Sequence, residues 1–277
     1  MEIYNQISYK VSKVITKDYS TSFSLGIRML DRRFHDPIYA IYGFVRIADE
    51  IVDTFHHFDQ PVLLRKFIQD TDDALQNRVS TNPVLQAFQE VVHRYAIDRP
   101  LIDAFLHSME MDLSEKKYAE NSYSEYIYGS AEVVGLMCLH VFCENDSALY
   151  DRLLIPARKL GAAFQKINFL RDMKSDYSER GRIYFPGVDF EKFDVNTKKI
   201  IEADIQKDLD DSLCGIRSLP NGSRLGVTVA YIYYISLFRK IKRASIQTVQ
   251  QERIRIPNSG KLILLVKTWF RYQLKLI

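Results

Sequence analysis

Between Gly161 and Asp176 the chain reads GAAFQKINFLRDMKSD, and on a helix Gly161, Gln165, Asn168, Asp172 and Asp176 succeed one another by four, three, four and four residues. They form one stripe, polar where a core helix is expected to be apolar. Aspartates at i and i+4 disfavour each other by about 0.2–0.5 kcal/mol, so Asp172 and Asp176 on one face call for a cation. Such a pair is common on solvated helix faces. Here it lies among Phe164, Ile167, Phe169 and Leu170, which read as buried.

The same arithmetic recurs upstream. A helix expected to begin near Asp36-Pro37, since Pro suits a first turn, runs through IYAIYGFVRIADEIVDTF and places Tyr42, Arg46, Asp49 and Asp53 four, three and four apart. Four carboxylates gathered in one cavity repel prohibitively unless cations neutralise them. The two stripes are therefore expected to face each other, with Arg46 and Arg171 close by.

Everything else must build a frame for that pair. Glycines and prolines are few, 11 and 8, and apolar residues recur at three and four, so the chain reads as all-α. Helices are expected over Ile3–Lys17, Pro61–Gln76, Pro83–Tyr95, Leu101–Leu113, Tyr123–Phe142, Ser147–Asp176, Phe193–Leu219 and Arg224–Arg243, and from Lys261 to the end. The loop ERGRIYFPGVDF after Asp176 suits a mobile lid. At 277 residues, with no linker or repeat, one domain over 1–277 is the default.

A formal charge of +3, spread along the chain, gives no reason to expect nucleic acid. Three cysteines, Cys138, Cys143 and Cys214, lack CxxC spacing and suit a reducing, cytoplasmic setting. The N-terminus has no signal-peptide core, and no stretch reads as the roughly 20 apolar residues that span a bilayer. The terminal run KLILLVKTWFRYQLKLI repeats Lys267, Arg271 and Lys275 every four residues beside Leu, Val, Trp and Phe. It reads equally as the last helix of a bundle or as a basic helix lying peripherally on anionic lipid.

Clustered carboxylate oxygens suit Mg²⁺, with Mn²⁺ as the alternative, because hard cations take oxygen ligands and share them with substrate phosphates. Opposite arginines, in an aromatic-lined helical bowl, such a cluster favours an apolar molecule with a diphosphate head. Departure of that diphosphate leaves an allylic cation, which aromatic faces stabilise. No dinucleotide-binding glycine motif is present, so no nicotinamide cofactor is expected.

The pattern G-x-x-x-Q-x-x-N-x-x-R-D-x-x-x-D from Gly161 to Asp176 resembles the second aspartate-rich signature of the squalene and phytoene synthases, and Arg46-Ile-Ala-Asp49-Glu50-Ile-Val-Asp53 resembles their first. Similarity extends to Tyr19-Ser20-Thr21-Ser22-Phe23, to Met109-Glu110-Met111-Asp112-Leu113, to Tyr126 through Gly135 and to Arg253 through Leu262, in order along nearly the whole chain. The resemblance implies an isoprenoid synthase fold with a central cavity. It implies that Asp49, Asp53, Asn168, Asp172 and Asp176, with Gln165, hold Mg²⁺ or diphosphate through it. It also implies that Arg46 and Arg171 contact diphosphate, that Ser20, Ser22, Phe23, Tyr42 and Tyr234 help bind substrate, and that Tyr126 acts in the cation steps.

Some positions depart from the family pattern. Ile127, Ser130 and Glu132 replace its Cys, Val and Gly, and Tyr19 stands where His is frequent. Against these roles, tyrosines often fill cores with only the hydroxyl satisfied, and Ser20 and Ser22 serve equally as helix caps. The form of the first signature is most like the phytoene-forming members, which join two geranylgeranyl diphosphates head to head and hand phytoene to downstream carotenoid enzymes. Farnesyl diphosphate users that make squalene or dehydrosqualene are the near alternative. A catalytically silent scaffold protein is the remote one.

Overall fold

Helical periodicity carries almost the whole chain into its observed shape. The computed structural model describes residues 1–115 and 117–274, and among these the regular structure is thirteen α-helices and one π-helical turn, with no strand and an isolated bridge between Lys117 and Ile183. The helices are α1 (Glu2–Tyr19), α2 (Thr21–Ile27), α3 (Arg32–Asp53), α4 (Gln60–Asn77), α5 (Pro83–Arg94), α6 (Arg99–Ser114) and α7 (Glu120–Ile127). After the π turn Tyr128–Glu132 come α8 (Val133–Cys143), α9 (Ser147–Arg180), α10 (Val195–Ser218), α11 (Asn221–Arg243), α12 (Ile246–Gln251) and α13 (Asn258–Gln273).

Most expected boundaries hold within a few residues. Helix α3 starts at Arg32, a turn before the expected Asp36-Pro37, because Phe34 in its first turn is buried against Phe142 with ring centroids 5.6 Å apart. Packing there outweighs the preference of Pro for a first turn. Helices α2 and α12 are additional short elements, capped by Ser20 and Ser245. The expected lid is anchored instead: α9 runs on to Arg180, Gly181 ends it at φ +66°, and Arg182, Tyr184 and Phe185 are buried. Lys275 lies outside the described residues.

Two buried apolar clusters position the stripes. One joins α3 to α4, α5, α6 and α8, with Phe44 stacked on Phe88 at 3.8 Å. The other joins α9 to α10 and α11. Helix α9 approaches the π turn so closely that a Cβ on Gly161 would stand 2.7 Å from the Ala131 carbonyl oxygen. In the π turn the Val133 amide bonds back five residues to Tyr128 O.

One expectation needs correction. The continuous stretch Glu120–Cys143 contains an 18-residue window of mean hydropathy 1.4, long and apolar enough by composition to cross a membrane. Its apolar residues Ile127, Val133, Leu136, Met137 and Val141 are buried within the protein, as in a core helix.

Candidate active site

Helices α3 and α9 bring their acidic ends together through arginines. Arg180 Nη1 donates to Asp176 Oδ1 at 2.9 Å, and its Nε lies 3.3 Å from Asp53 Oδ1. Arg182 Nη1 also donates to Asp53 Oδ1 at 2.9 Å. Asp172 is gripped from one side by both arms of Arg171, its Nε at 3.0 Å, and from the other by Arg253 Nε at 2.7 Å. Asp49 has no ion pair among the described residues.

Proton affinity is raised at both the unpaired Asp49 and the paired Asp176. Burial, then the neighbouring Asp53, push Asp49 up to about 8 against the pull of Arg46. Burial and Asp172 push Asp176 up to about 7, with Arg180 opposing. Removal from water favours the neutral form of both carboxylates, and a neighbouring carboxylate adds to the effect in each. Cationic donors are also left over: the buried Nε atoms of Arg46 and Arg180 lack hydrogen-bond acceptors among the described residues. Arg46 itself pairs with Glu50 and lies 4.3 Å from the Tyr19 ring centroid, so Tyr19 acts as its platform.

Beside these charges opens a cavity of about 320 Å³, within the range of small-molecule sites. Tyr42, Ser130, Gln165, Ser212 and Tyr234 supply its polar lining, while Phe23, Ile27, Ile38, Leu139, Phe142, Leu153 and Leu219 are among its apolar walls. None of the four stripe aspartates lines it. A polar chain links wall to stripe: Tyr234 Oη donates to Asn168 Oδ1 at 3.3 Å, Asn168 Nδ2 to Gln165 Oε1 at 3.5 Å, and Gln165 Nε2 to Ser130 Oγ at 3.4 Å. Tyr234 stacks on Phe164 at 3.8 Å and Tyr42 on Phe23 at 4.8 Å. Ser20 Oγ accepts from the Phe23 amide at 3.2 Å and caps α2, leaving Ser22 half-buried in the first turn.

The departures from the family pattern acquire local reasons. Ser130 is the acceptor that ends the polar chain from Tyr234. Glu132 pairs with Arg158 Nε at 2.5 Å, tying the π turn to α9. Ile127 is core.

Tyr126 is held in a second polar centre. Its hydroxyl donates to Asp112 Oδ2 at 2.8 Å, Tyr118 donates to Oδ1 at 3.2 Å, and Arg182 lies 3.3 Å from the same carboxylate. Arg182 also donates to the carbonyl of Asp112 at 2.9 Å and that of Val52 at 3.4 Å, so one buried guanidinium joins α3, α6 and the segment after α9. Burial raises Asp112 to about 6, with Arg182 pulling down and Asp53 pushing up. Tyr126, Tyr184 and Phe169 form an aromatic stack beside it. Sequence reasoning had placed Asp112 and Arg253 within resembling segments without a role. The run ERGR soon after an acidic stripe is the sequence signal for Arg180 and Arg182, and Tyr184 carries none.

Fold and site together define an all-α isoprenoid synthase. In structure the chain is similar to a dehydrosqualene synthase solved with a ligand (TM-score 0.83, 22% identity, covering 97% of this chain and 98% of that one) and to a squalene synthase from Alicyclobacillus acidocaldarius (TM-score 0.75, 19% identity, 87% and 95%). Residues 16–259 match the squalene/phytoene synthase family, and the chain belongs to it. That family comprises prenyltransferase-type enzymes that condense isoprenoid diphosphates head to head. In sequence the chain is 28% identical to 15-cis-phytoene synthase of Synechocystis sp., over 96% of this chain and 86% of that one. It is likewise 28% identical to 4,4'-diapophytoene synthase of Staphylococcus haemolyticus, over 71% and 68%.

Proposed function

We propose that the protein is a phytoene synthase that joins two geranylgeranyl diphosphates, working as one catalytic unit over 1–277 in a reducing, cytoplasmic setting. The observation that carries this reading is the pairing of two arginine-collared acidic stripes with an adjacent apolar cavity. The donor types suit Mg²⁺ or Mn²⁺, with Asp49, Asp53, Asp172, Asp176 and Asn168 offering hard oxygens from two facing helices, and among the described residues no three acidic side chains yet converge on one point. When bound with substrate, the metal supplies charge neutralisation for the departing diphosphate.

The protein's own groups do the rest. Arg46 and Arg180 turn unsatisfied Nε–H donors to diphosphate oxygens, and Arg171 and Arg253 steady Asp172. The first substrate loses its C–O bond, with the electron pair leaving on diphosphate. The resulting allylic cation is captured by the double bond of the second, which releases a proton as a cyclopropylcarbinyl diphosphate forms. Ionisation of that intermediate, rearrangement and loss of a proton give phytoene. The aromatic pairs in the cavity wall, Tyr42 on Phe23 and Tyr234 on Phe164, stabilise positive charge, while the stack of Tyr126, Phe169 and Tyr184 is buried outside that wall. No hydride donor enters this sequence.

The near equality of the two named relatives, one a phytoene and one a diapophytoene synthase, supports farnesyl diphosphate as the second reading. Incubation with Mg²⁺ and each diphosphate separately, followed by mass analysis of extracted hydrocarbon, tests both. A C40 product from geranylgeranyl diphosphate is expected. A C30 product alone moves the assignment to the second reading, and no consumption of either overturns the enzyme.

A further inference from the structure

Helix α9 is held against α10 by charge as well as by apolar contact. Lys166 Nζ donates to Asp208 Oδ2 at 2.7 Å and to Asp204, and Lys159 Nζ donates to the other oxygen of Asp208 at 3.0 Å. Both ends of the central pair are buried, Lys166 at 9% exposure and Asp208 at 2%. The lysine fills an open position of the pattern G-x-x-x-Q-x-x-N, where the resemblance asks for no charge. It follows Gln165 and so stands about 100° round the helix from it, turned to α10 and outside the cavity lining.

The two helices run antiparallel: a Cβ on Gly215 would stand 2.3 Å from Pro156 Cβ, while Lys166, further along α9, meets Asp204, further back on α10. On α10 the acids begin a stripe, Asp204, Asp208, Ser212 and Gly215, whose last two members line the cavity. Apolar ridges and grooves recur with every turn and accommodate a slide, whereas a buried ion pair has one partner. Moving α9 by four residues, about 6 Å, would bring Ala162 or Leu170 to the place of Lys166 and leave Asp208 buried without its inner cation. Such an unpaired buried charge is strongly disfavoured, although an apolar pair of similar volume is tolerated. The network therefore specifies a register more than it adds stability. Along that register Asn168 meets Tyr234 of α11, Asp172 meets Arg253, and Asp176 reaches Asp53 of α3 through Arg180.

We infer that Lys166 is a positioning residue: through Asp208 and Asp204 it sets the axial register of α9 against α10, and with it the height at which Asn168, Asp172 and Asp176 are presented. It acts through the helix, because its ammonium is committed to two carboxylates. The turnover arm of the test rests on the proposed condensation, and the structural arm does not.

The full chain carries Lys166→Met alone, Lys166→Met with Asp208→Leu, or Lys166→Arg, and melting temperature, kcat and KM for geranylgeranyl diphosphate are measured with Mg²⁺. The single methionine variant should lose both melting temperature and turnover. The double variant should regain the melting temperature, since two apolar side chains replace the pair. Its kcat should stay about 100-fold low, the scale of a misplacement of roughly 1 Å, with KM changed far less. Lys166→Arg should keep both properties within a few-fold. A crystal structure of the double variant should show α9 displaced along α10. Turnover that returns together with stability in the double variant, native turnover in Lys166→Met, or an undisplaced α9 would each overturn the inference. A native protein that consumes no isoprenoid diphosphate while α9 is displaced in the double variant would remove the proposed function and sustain the register role.

Discussion

Asp53 and Asp176 close the two acidic stripes from different helices, and a single guanidinium, Arg180, stands against both, 3.3 Å from one and 2.9 Å from the other. It holds the ends of α3 and α9 at a separation that two bare carboxylates would resist. Replacing it by Met should destabilise the metal-free protein by about 1–3 kcal/mol, between the values for exposed and buried pairs, since Arg180 is 24% exposed. Urea unfolding measures the loss. An unchanged midpoint would show that the bridge holds nothing.

Asp172 has two arginines for neighbours and still lies one turn from Asp176. Asp172→Ala should lower turnover by at least about 10²–10³-fold, the scale on which one group stabilising departing charge acts. Helicity should stay intact. Full activity in the variant, or in the native protein with excess chelator, would remove the metal-binding role.

Asp112 offers a pH test away from the stripes. Its carboxyl is raised to about 6, chiefly by burial, above the roughly 3.9 of an unfolded aspartate. The folded state keeps this proton where the unfolded chain has lost it. The resulting stability is complete below about pH 4 and is lost as pH rises through 6. The difference in unfolding free energy between the native protein and Asp112→Asn should therefore shrink in that window. A difference that stays constant would place the group in a more ordinary setting.

Gly161 opens the signature of α9 for a steric reason. A Cβ there would meet the Ala131 carbonyl at 2.7 Å and the Glu132 Cα at 3.1 Å, both backbone atoms that cannot rotate away. Gly161→Ala should cost about 1–3 kcal/mol, the usual scale for overpacking. Thermal unfolding reads it directly. Native stability in the variant would mean that α9 and the π turn separate freely.

The stripes were legible because helical period and chemical type coincide within each. The arginines that complete the site were not. Ending the Ser147 helix at Asp176 hides the further turn that brings Arg180 beside its own i−4 aspartate, and a loop assignment hides the burial of Arg182. Asp112 lay in a recognised segment, but its meaning depends on Tyr126, 14 residues on and across a helix junction. The short α2 was masked by its own cap: the serines that read as a helix start served one of only seven residues.

The π turn at Tyr128–Glu132 also fixes an angular phase. One residue in a helix is worth about 100° of rotation. The extra residue in that turn sets the direction of Tyr126 independently of the α8 face that follows. Deleting a single residue there would leave two good helices and turn the Tyr126 hydroxyl away from Asp112. Redesign of this segment must conserve its count as strictly as its composition.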